Sequence, residues 1–394
     1  MQSPRPIYLD HHATTPVDPR VFEAMRPFFI EKFGNAASLN HVFGTEAADA
    51  VEQARTDVAQ LLGADSSSLI FTSGATEANN LALLGVARAS PSGRHIITTA
   101  AEHRSVLGPL RRLERSGAEV TFLPVDEHAR VRADQVAAAI KPNTILVSVI
   151  FANNEVGSIN PIREIGEVCR QRNVLLHCDA VQAVGKIPLD LSDLPIDLLS
   201  LSAHKLYGPK GVGVLFVRRD RGRIAIESLI YGGGHERRLR SGTLPVPLIV
   251  GLGAACLIAR EEMHDEAARL TLLRDRLQAG LQREIDGLSF NGHPTERLPG
   301  NLNVSFESVD GEALLAGLTG LAVSSGSACT SADPEPSHVL RAMGRSDALT
   351  RASLRFGLGR HTSDLEIDEA VKIVAGTVRK LRQRAAITSV PKRG

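Results

Sequence analysis

The sequence predicts an α/β protein whose larger domain is built on a mainly parallel β-sheet. From about residue 46 to residue 217, helical patterns alternate with short runs of β-branched and other apolar residues. Several of these runs are apolar at successive positions, as expected for strands that helices cover on both faces. The alternation of strand and helix favours parallel pairing, because parallel neighbours need a long crossover connection.

The individual elements can be placed along this stretch in order. Helical patterns cover residues 46–62 and 162–172. The predicted strands lie at residues 69–71, 95–99, 120–123, 145–151, 174–177, 198–201 and 212–217. In sheets of this kind, ligands bind beyond the carboxyl ends of the strands. The polar residues that follow each strand are therefore the candidates for a functional site.

The pattern changes after residue 252 and predicts a second, smaller α+β domain. A long charged helix is expected at residues 254–285. Short strands are predicted at residues 301–306, 322–324 and 353–356. Ser363 and Glu366 then have the spacing of a capping box, which predicts the start of a final helix.

Length and composition agree with a globular protein of two domains. The chain has 394 residues, of which 43% are hydrophobic and 23% charged, so it can bury more than one core. We assign residues 16–260 to the large domain and residues 1–15 together with residues 261–394 to the small domain. A net charge of +1 and the absence of Trp argue against direct binding to nucleic acid.

Cysteine usage indicates a cytoplasmic protein with reduced thiols. The four cysteines are too few for a disulfide framework and none forms a C-x-x-C pair. No secretory signal is visible in residues 1–10, and the most apolar stretch, residues 244–259, is too short for a membrane span. Cys329 lies in a run of very small residues, 324–332, where an accessible thiol can act as a nucleophile.

The first predicted strand of the large domain leads into a turn that suits an anion. The turn reads Thr-Ser-Gly-Ala-Thr-Glu at residues 72–77 and is followed by a helix. Free backbone N–H groups and the helix dipole both favour an anion at such a helix N terminus. Taken alone, the same residues also fit an ordinary helix cap at Ser73 or Thr76.

Polar residues also follow two of the central strands. Glu102 and His103 follow the strand at residues 95–99, and Asn154 follows the strand at residues 145–151. The amide of Asn154 could bind a polar group of a substrate, although Asn is also common in turns. A single histidine such as His103 also fits a structural hydrogen-bonding role.

Asp179 and Lys205 follow the next two strands and carry a more specific chemical signal. An Asp at the end of a buried strand needs a cation or a donor, and a desolvated lysine becomes a nucleophilic amine. Taken alone, Lys205 fits a solvated loop lysine better than a nucleophile. Together with the turn at residues 72–77, the two residues fit pyridoxal 5′-phosphate (PLP). This cofactor takes a lysine for its Schiff base, a carboxylate for its pyridinium nitrogen and a helix N terminus for its phosphate.

These motifs resemble the cysteine desulfurases of the class-V aminotransferase fold, the NifS/IscS-like group that supplies sulfur for iron–sulfur clusters. The resemblance runs from Ile7 to about Leu381. It rests on residues 8–16 (YLDHHATTP), 72–77, 102–103, 153–155, 177–182 (HCDAVQ), 202–205 (SAHK), 232–235, 240–243, 324–332 and Arg355. It implies fold type I of the PLP-dependent enzymes, with PLP as cofactor, L-cysteine as substrate and a homodimer as the assembly.

The resemblance also implies a role for each matching residue. The implied catalytic residues are Lys205 as the Schiff-base lysine, His103 as the ring-stacking proton carrier and Cys329 as the sulfur-accepting nucleophile. The implied cofactor contacts are Ala75, Thr76, Ser202 and His204 at the phosphate, Asp179 at the pyridine nitrogen, Gln182 at the ring hydroxyl and Thr243 from the other subunit. The implied substrate contacts, at the carboxylate, are Asn35, Asn154 and Arg355.

The implied reaction removes sulfur from L-cysteine, giving L-alanine and a persulfide on Cys329. The persulfide would pass to acceptor proteins, such as an iron–sulfur scaffold or a tRNA-thiolation protein. A selenocysteine lyase, or another PLP lyase on the same fold, is the alternative and would not need Cys329. A transaminase leaves Cys329 unexplained, and a binding protein without catalysis leaves Lys205 and His103 unexplained.

Overall fold

The computed structural model describes residues 5–90, 95–220, 222–325 and 336–388 of the chain. The strands are β1 (Ile7–Tyr8), β2 (Leu69–Thr72), β3 (His95–Thr99), β4 (Glu119–Leu123), β5 (Thr144–Ile150), β6 (Leu175–Asp179), β7 (Leu198–Ser202), β8 (Gly213–Val217), β9 (Leu288–Asn291), β10 (Asn301–Phe306), β11 (Leu321–Ala322) and β12 (Ser353–Gly357). The α-helices are α1 (Pro19–Met25), α2 (Pro27–Ile30), α3 (Val42–Leu62), α4 (Ala75–Ala89), α5 (Arg104–Arg115), α6 (Ala133–Ala139), α7 (Ile162–Gln171), α8 (Val246–Glu284), α9 (Gly311–Gly317), α10 (His338–Ala342), α11 (Asp347–Arg351) and α12 (Asp364–Thr388). Short 3₁₀ turns cover Ser66–Ser68, Ala203–Lys205 and Glu236–Arg238. None of the helices formed by these residues combines the length and apolarity that a bilayer span requires.

A seven-stranded sheet in the order β2-β8-β7-β6-β5-β3-β4 forms the centre of the larger part of the fold. The strands β7, β6, β5, β3 and β4, which are adjacent in this order, pair in parallel. β8 is antiparallel to both of its neighbours, β7 and β2. β2 therefore runs in the same direction as the parallel strands. The seven strands match the seven predicted ones to within two residues at each end, so the prediction of an α/β fold with a mainly parallel sheet is confirmed.

Helices cover both faces of this sheet, which explains why its strands are apolar at successive positions. Along β2, Phe71 packs into the core that contains α3 and α8, whereas Ile70 packs into the core that contains α4 and α5. The same alternation holds along β3 for Ile97 and Ile96. Because side chains of a strand point alternately to opposite faces, two buried faces require two sets of apolar residues.

A separate core lies under a small antiparallel sheet of order β12-β10-β9 and a two-stranded parallel pair of β1 with β11. Residues of β10, β12, α12 and the second half of α8 build this core, and Leu9 joins it from the N-terminal segment. The division at residues 15/16 and 260/261 stays a prediction, and residue 260 lies inside the continuous helix α8.

The start of α8 was predicted wrongly. The sequence pattern placed it at Ala254, but the helix begins at Val246. Pro247 occupies a position in the first turn, where a missing N–H costs nothing. Gly251 and Gly253 are not helix breakers here but sites of close packing. A Cβ at Gly251 would lie 2.5 Å from Sδ of Met25, and a Cβ at Gly253 would lie 2.7 Å from Cα of Ala54.

A buried ion pair fixes the Glu236–Arg238 turn against the edge strand β2. Nη2 and Nη1 of Arg55 donate to Oε1 and Oε2 of Glu236 at 2.8 and 2.9 Å, and the backbone N–H of Phe71 donates to Oε2 at 2.7 Å. The three residues of the turn have positive φ angles of 44°, 56° and 67°. Such a backbone costs free energy, so the ion pair holds a conformation that the segment would not keep alone.

Replacing Glu236 by Gln should lower the free energy of unfolding by about 3 kcal/mol, because the Arg55 charge stays buried without its partner. Urea unfolding of the two proteins measures this difference. Glu52 also contacts Arg55 but is exposed, so Glu52→Gln is the matched control and should cost less than about 1 kcal/mol. Equal losses in the two variants would contradict this account of the turn.

Candidate active site

A cavity of about 590 Å³ lies at the carboxyl ends of β2, β3, β5, β6 and β7. It is the place that the strand order predicts for a ligand. Most of the predicted site residues line it, namely Ala75, Thr76, His103, Asn154, Asp179, Gln182, Ser202, His204, Lys205 and Arg355. The residues His12, Ala13 and Thr14 of the N-terminal segment complete the wall next to Lys205.

Three predicted site residues are not brought to this cavity by the described structure. Asn35 is exposed, and its side-chain oxygen accepts a hydrogen bond from the backbone N–H of Ala37 in its own turn at 3.0 Å. Thr243 is exposed on the segment before α8. Cys329 lies outside the described residues. The roles of all three stay predictions.

The anion turn has the backbone geometry that the sequence suggested. Helix α4 begins at Ala75, and its N-cap, Gly74, has a φ of 150° and supplies no side-chain cap. A Cβ on Gly213 of β8 would lie 2.8 Å from the Gly74 backbone, so the turn packs directly against the sheet. Backbone N–H groups of the first helical turn have no intrahelical partner. The uncapped end of α4 at the cavity is therefore suited to a phosphate.

A hydrogen-bonded chain connects the predicted residues Asp179 and His103. Nδ2 of Asn79 donates to Oδ2 of Asp179 and to Oγ of Ser105, both at 2.8 Å. Oγ of Ser105 lies 2.7 Å from Nδ1 of His103. The backbone N–H of Val181 donates to the other carboxylate oxygen of Asp179 at 3.1 Å. Asp179 is thus held by neutral donors, and among the described residues no cationic side chain forms an ion pair with it.

Sequence reasoning missed Asn79 and Ser105. Both are polar residues on buried faces of helices, Asn79 one turn into α4 and Ser105 at the start of α5. An Asn with no exposed surface needs hydrogen-bond partners for its amide. In the sequence, the signal that could have identified Asn79 is its position one helical turn after the anion turn.

The hydrogen bonds of His103 define its neutral tautomer. The backbone N–H of Ser105 donates to Nδ1 of His103 at 3.1 Å, so this nitrogen acts as an acceptor. The neutral ring then carries its hydrogen on Nε2. Since His103 lines the cavity, Nε2 is the nitrogen that can hold or move a proton there.

Lys205 is tied to the N-terminal segment. Its Nζ donates to the backbone oxygens of His12 at 2.8 Å and Ala13 at 2.6 Å. The residue ends the 3₁₀ turn after β7, and His204 in the same turn contacts Thr14 through Nδ1 at 3.1 Å. Burial lowers the pKa of His204 to about 4, with a smaller effect from Lys205, so His204 is neutral at pH 7. It can therefore donate only an uncharged hydrogen bond.

Arg355 reaches the cavity from β12 of the small sheet. Its Nη2 donates to Oδ1 of Asp10 at 2.8 Å, and its Nη1 donates to the backbone oxygen of Asn154 at 3.0 Å. Nε is buried and has no hydrogen-bond partner among the described residues. The guanidinium is therefore oriented by both the N-terminal segment and the large sheet, and a carboxylate that binds it competes with Asp10.

Two buried carboxyl groups are next in sequence to cavity residues, Glu102 beside His103 and Glu155 beside Asn154. Oε1 of Glu102 accepts from Oγ1 of Thr99 at 2.8 Å and from the backbone N–H of Ile150 at 2.9 Å. Burial, with a smaller contribution from the charge of Asp179, raises the pKa of Glu102 to about 8. Burial likewise raises the pKa of Glu155 to about 7. Both groups are protonated over part of the neutral range, unlike ordinary glutamates.

Comparison with known proteins identifies the family. The family model for class-V aminotransferases matches residues 7–369. The chain belongs to the class-V aminotransferase family. It is 53% identical over 390 residues to a protein named cysteine desulfurase IscS from Anaeromyxobacter dehalogenans (strain 2CP-C), covering 99% of this chain and 96% of that protein.

Solved structures of similar proteins support the fold of this member of the class-V aminotransferase family. A structure titled NifS-like protein superposes with a TM-score of 0.89 at 38% identity, covering 95% of this chain and 100% of that one. A structure titled SspA in complex with cysteine superposes with a TM-score of 0.80 at 38% identity, covering 89% and 98%. The prediction of fold type I, with a mainly parallel large sheet, is therefore confirmed.

The site of this member of the class-V aminotransferase family fits PLP on three observations. Asp179 is buried, and no cationic side chain in the described part of the chain pairs with it, which suits a protonated pyridine nitrogen. The N terminus of α4 is uncapped and suits a phosphate. The amine of Lys205 lines the same cavity, whose volume of about 590 Å³ is in the usual range for a cofactor site.

Glu102→Gln should flatten the dependence of stability on pH. The folded-state pKa of Glu102 is about 8, above its ordinary value of 4.5, so the folded state binds the extra proton between these values. The stabilisation from this proton is complete below about pH 4.5 and is lost as the pH rises through 8. Wild type should lose up to about 1.4 kcal/mol per pH unit from this group, and the glutamine variant should not.

Urea unfolding of both proteins between pH 6 and pH 9, without added cofactor, measures the difference. Glu119→Gln is the control, because Glu119 is half exposed and its pKa is lowered rather than raised. Parallel pH profiles for wild type and Glu102→Gln would show that Glu102 is not protonated in the folded protein.

Proposed function

We propose that this chain is a PLP-dependent cysteine desulfurase that converts L-cysteine to L-alanine and holds the sulfur as a persulfide on Cys329. The observation that carries the proposal is the convergence of Lys205, Asp179, His103 and the N terminus of α4 on one cavity. The identity of 53% to a cysteine desulfurase favours this activity over the selenocysteine lyase alternative.

Pyridoxal 5′-phosphate, when bound, supplies an electron sink that lowers the cost of removing a proton from the substrate carbon. The residues that would hold it are those of the prediction. Ala75, Thr76, Ser202 and His204 would hold its phosphate, Asp179 its ring nitrogen and Gln182 its ring oxygen, and all six residues line the cavity. Asn79 orients the Asp179 carboxylate, because it donates to Oδ2 from the neighbouring helix.

The amine of Lys205 and the ring of His103 are the groups that move protons in this proposal. Nζ of Lys205 donates to the backbone oxygens of His12 and Ala13 in the N-terminal segment. These two hydrogen bonds fix the direction of the amine. A neutral lysine amine can accept the proton of the substrate Cα. His103 holds a proton at Nε2, because Ser105 occupies Nδ1 as a donor.

Arg355 and Asn154 would hold the substrate carboxylate and so select an amino acid. Among the described residues, Nε of Arg355 has no hydrogen-bond partner, and the planar guanidinium can bind a carboxylate through two hydrogen bonds. The prediction adds Asn35 to this set. Asp10 holds Arg355 in place until the substrate arrives.

The Cys329 thiolate would attack the sulfur of the substrate. An S–S bond forms, the C–S bond breaks, and its electron pair stays on the carbon, which takes up a proton to give L-alanine. The persulfide on Cys329 would then pass to an acceptor protein, such as an iron–sulfur scaffold or a protein of tRNA thiolation. We place the enzyme in the cytoplasm, where reducing conditions keep such a thiol unpaired.

The homodimer of the prediction has a candidate interface on the N-terminal helices. Large apolar side chains there are exposed, namely Phe22, Phe29, Ile30, Phe33, Leu39, Val42 and Phe43. Monomeric proteins rarely expose large contiguous apolar surfaces, and here the rings of Phe33 and Phe43 stack against each other. Thr243 is exposed and outside the cavity of its own chain, which supports its predicted contact with the cofactor phosphate of the other subunit.

The desulfurase activity is tested with purified protein, PLP and L-cysteine. Wild type should release L-alanine, and Cys329→Ser should reduce that release by at least about a thousandfold, because the sulfur acceptor is lost. Cofactor binding, followed by the visible absorbance, should not change. Cys256→Ala is the matched control, since Cys256 is buried in the core and should retain the activity.

Undiminished L-alanine release by Cys329→Ser would contradict the persulfide step. If that variant also kept its activity on selenocysteine, the lyase alternative would replace the desulfurase.

Ile30→Glu should convert the dimer into monomers, because it places a charge in the proposed apolar interface. Sedimentation velocity at micromolar concentration measures the change in mass. Leu365→Glu is the matched control, because Leu365 is equally apolar and 81% exposed but lies on α12. A wild-type protein that sediments as a monomer would contradict the proposed assembly.

A further inference from the structure

Lys186 lies beside the cavity and has no role in the mechanism above. It follows β6 by seven residues and is half buried. Its Nζ donates to Oε1 of Gln182 at 2.5 Å and lies 3.4 Å from Nδ1 of His12. Together with Lys205 it also lines a small internal cavity next to the site. A lysine in this position, in contact with a predicted cofactor residue, needs an explanation.

The chemistry of the two side chains fixes the orientation of the Gln182 amide. A lysine ammonium has three donors and no acceptor, whereas a glutamine amide has one oxygen acceptor and one NH₂ donor. Only the oxygen can therefore face Lys186, because a rotated amide would place NH₂ against the ammonium. The NH₂ group then points to the other side, where Nε2 donates to the backbone oxygen of His12 at 2.9 Å.

The same backbone oxygen also accepts from Lys205. Nζ of Lys205 and Nε2 of Gln182 both donate to the oxygen of His12, at 2.8 and 2.9 Å. Nε2 of Gln182 therefore lies on the Lys205 side of the cavity. Since an NH₂ group has two hydrogens and one is used by His12, the second is available to a ligand in the cavity that Gln182 lines.

We propose that Lys186 is a positioning residue that orients the Gln182 amide, so that Gln182 presents an N–H group rather than an oxygen to the cofactor's ring oxygen. This inference rests on the proposed function, because the ring oxygen belongs to PLP. An N–H donor stabilises the deprotonated ring oxygen, and the positive charge of Lys186 acts in the same direction. An amide oxygen in place of this N–H group would repel the deprotonated ring oxygen.

The surroundings of Lys186 decide when it carries its charge. The charged and titratable groups that act on it or lie beside it are Lys205, Arg355, His12, His11 and Glu266. Burial, together with the charges of Lys205 and Arg355 and against the opposing charge of Glu266, lowers the pKa of Lys186 to about 7. Burial also lowers the pKa of His12 well below its usual range, so His12 is neutral. Cofactor affinity is therefore measured at pH 6, where Lys186 is charged.

The test compares Lys186→Met with Lys186→Arg and with a remote control. The dissociation constant of PLP is measured by titration, and the pH midpoint of the visible absorbance of bound PLP is measured separately. Lys186→Met should weaken PLP binding about tenfold and raise the pH midpoint by about one unit, because the ring oxygen loses its stabilisation. Lys186→Arg keeps the donors and should behave like wild type. Lys372→Met removes an exposed lysine of α12 and should change neither value.

A double-mutant cycle with Gln182→Leu separates positioning from a merely structural role. If Lys186 acts through Gln182, Lys186→Met should add little to the loss in Gln182→Leu. Additive losses in PLP affinity, or a Lys186→Met protein with wild-type affinity and midpoint, would overturn the inference. Lys186→Gln serves in place of the methionine variant if that protein unfolds, and the same outcomes apply. Wild type that binds no PLP would overturn the proposed function instead.

Discussion

The common direction of six strands in the seven-stranded sheet is the constraint on which the site depends. β2, β3, β5, β6 and β7 all end at the same edge, and each is followed by a polar residue of the cavity. The anion turn, His103, Asn154, Asp179 and Lys205 are contributed from five different strand ends. Reversing any one of these strands would carry its residue to the opposite edge, so the direction of pairing has the same importance as residue identity.

The N-terminal segment is the second structural requirement, because it connects the two cores at the cavity. Leu9 packs into the core of the small sheet, whereas the backbone oxygen of His12, three residues later, accepts from Lys205 and Gln182 of the large sheet. Asp10, between them, binds Arg355. The site is therefore complete only when both cores are folded and in contact. Local unfolding of this short segment would release Lys205 and Arg355 together.

The residues at strand ends were predictable from sequence, because buried strands are continuous apolar runs and the polar residues after them stand out. The seven strands and the capping box were predicted correctly, and Ser363 donates from its backbone N–H to Oε2 of Glu366 at 2.8 Å. Residues that act across long sequence separations were not predictable in this way. Arg355 and Asp10 are 345 positions apart, and Asn79 and Asp179 are 100 apart. Neither pair has a spacing pattern, since only the tertiary fold brings them together.

The central claim is that Lys205, among the lysines near the cavity, is the amine that binds the cofactor. Borohydride reduction of the PLP-loaded protein, followed by peptide mass spectrometry, tests it directly, because reduction makes the link between the amine and the cofactor permanent. We predict that the added mass lies on Lys205 alone. Added mass on Lys186 or on Lys210, which also lines the cavity, or on no lysine at all, would contradict the account.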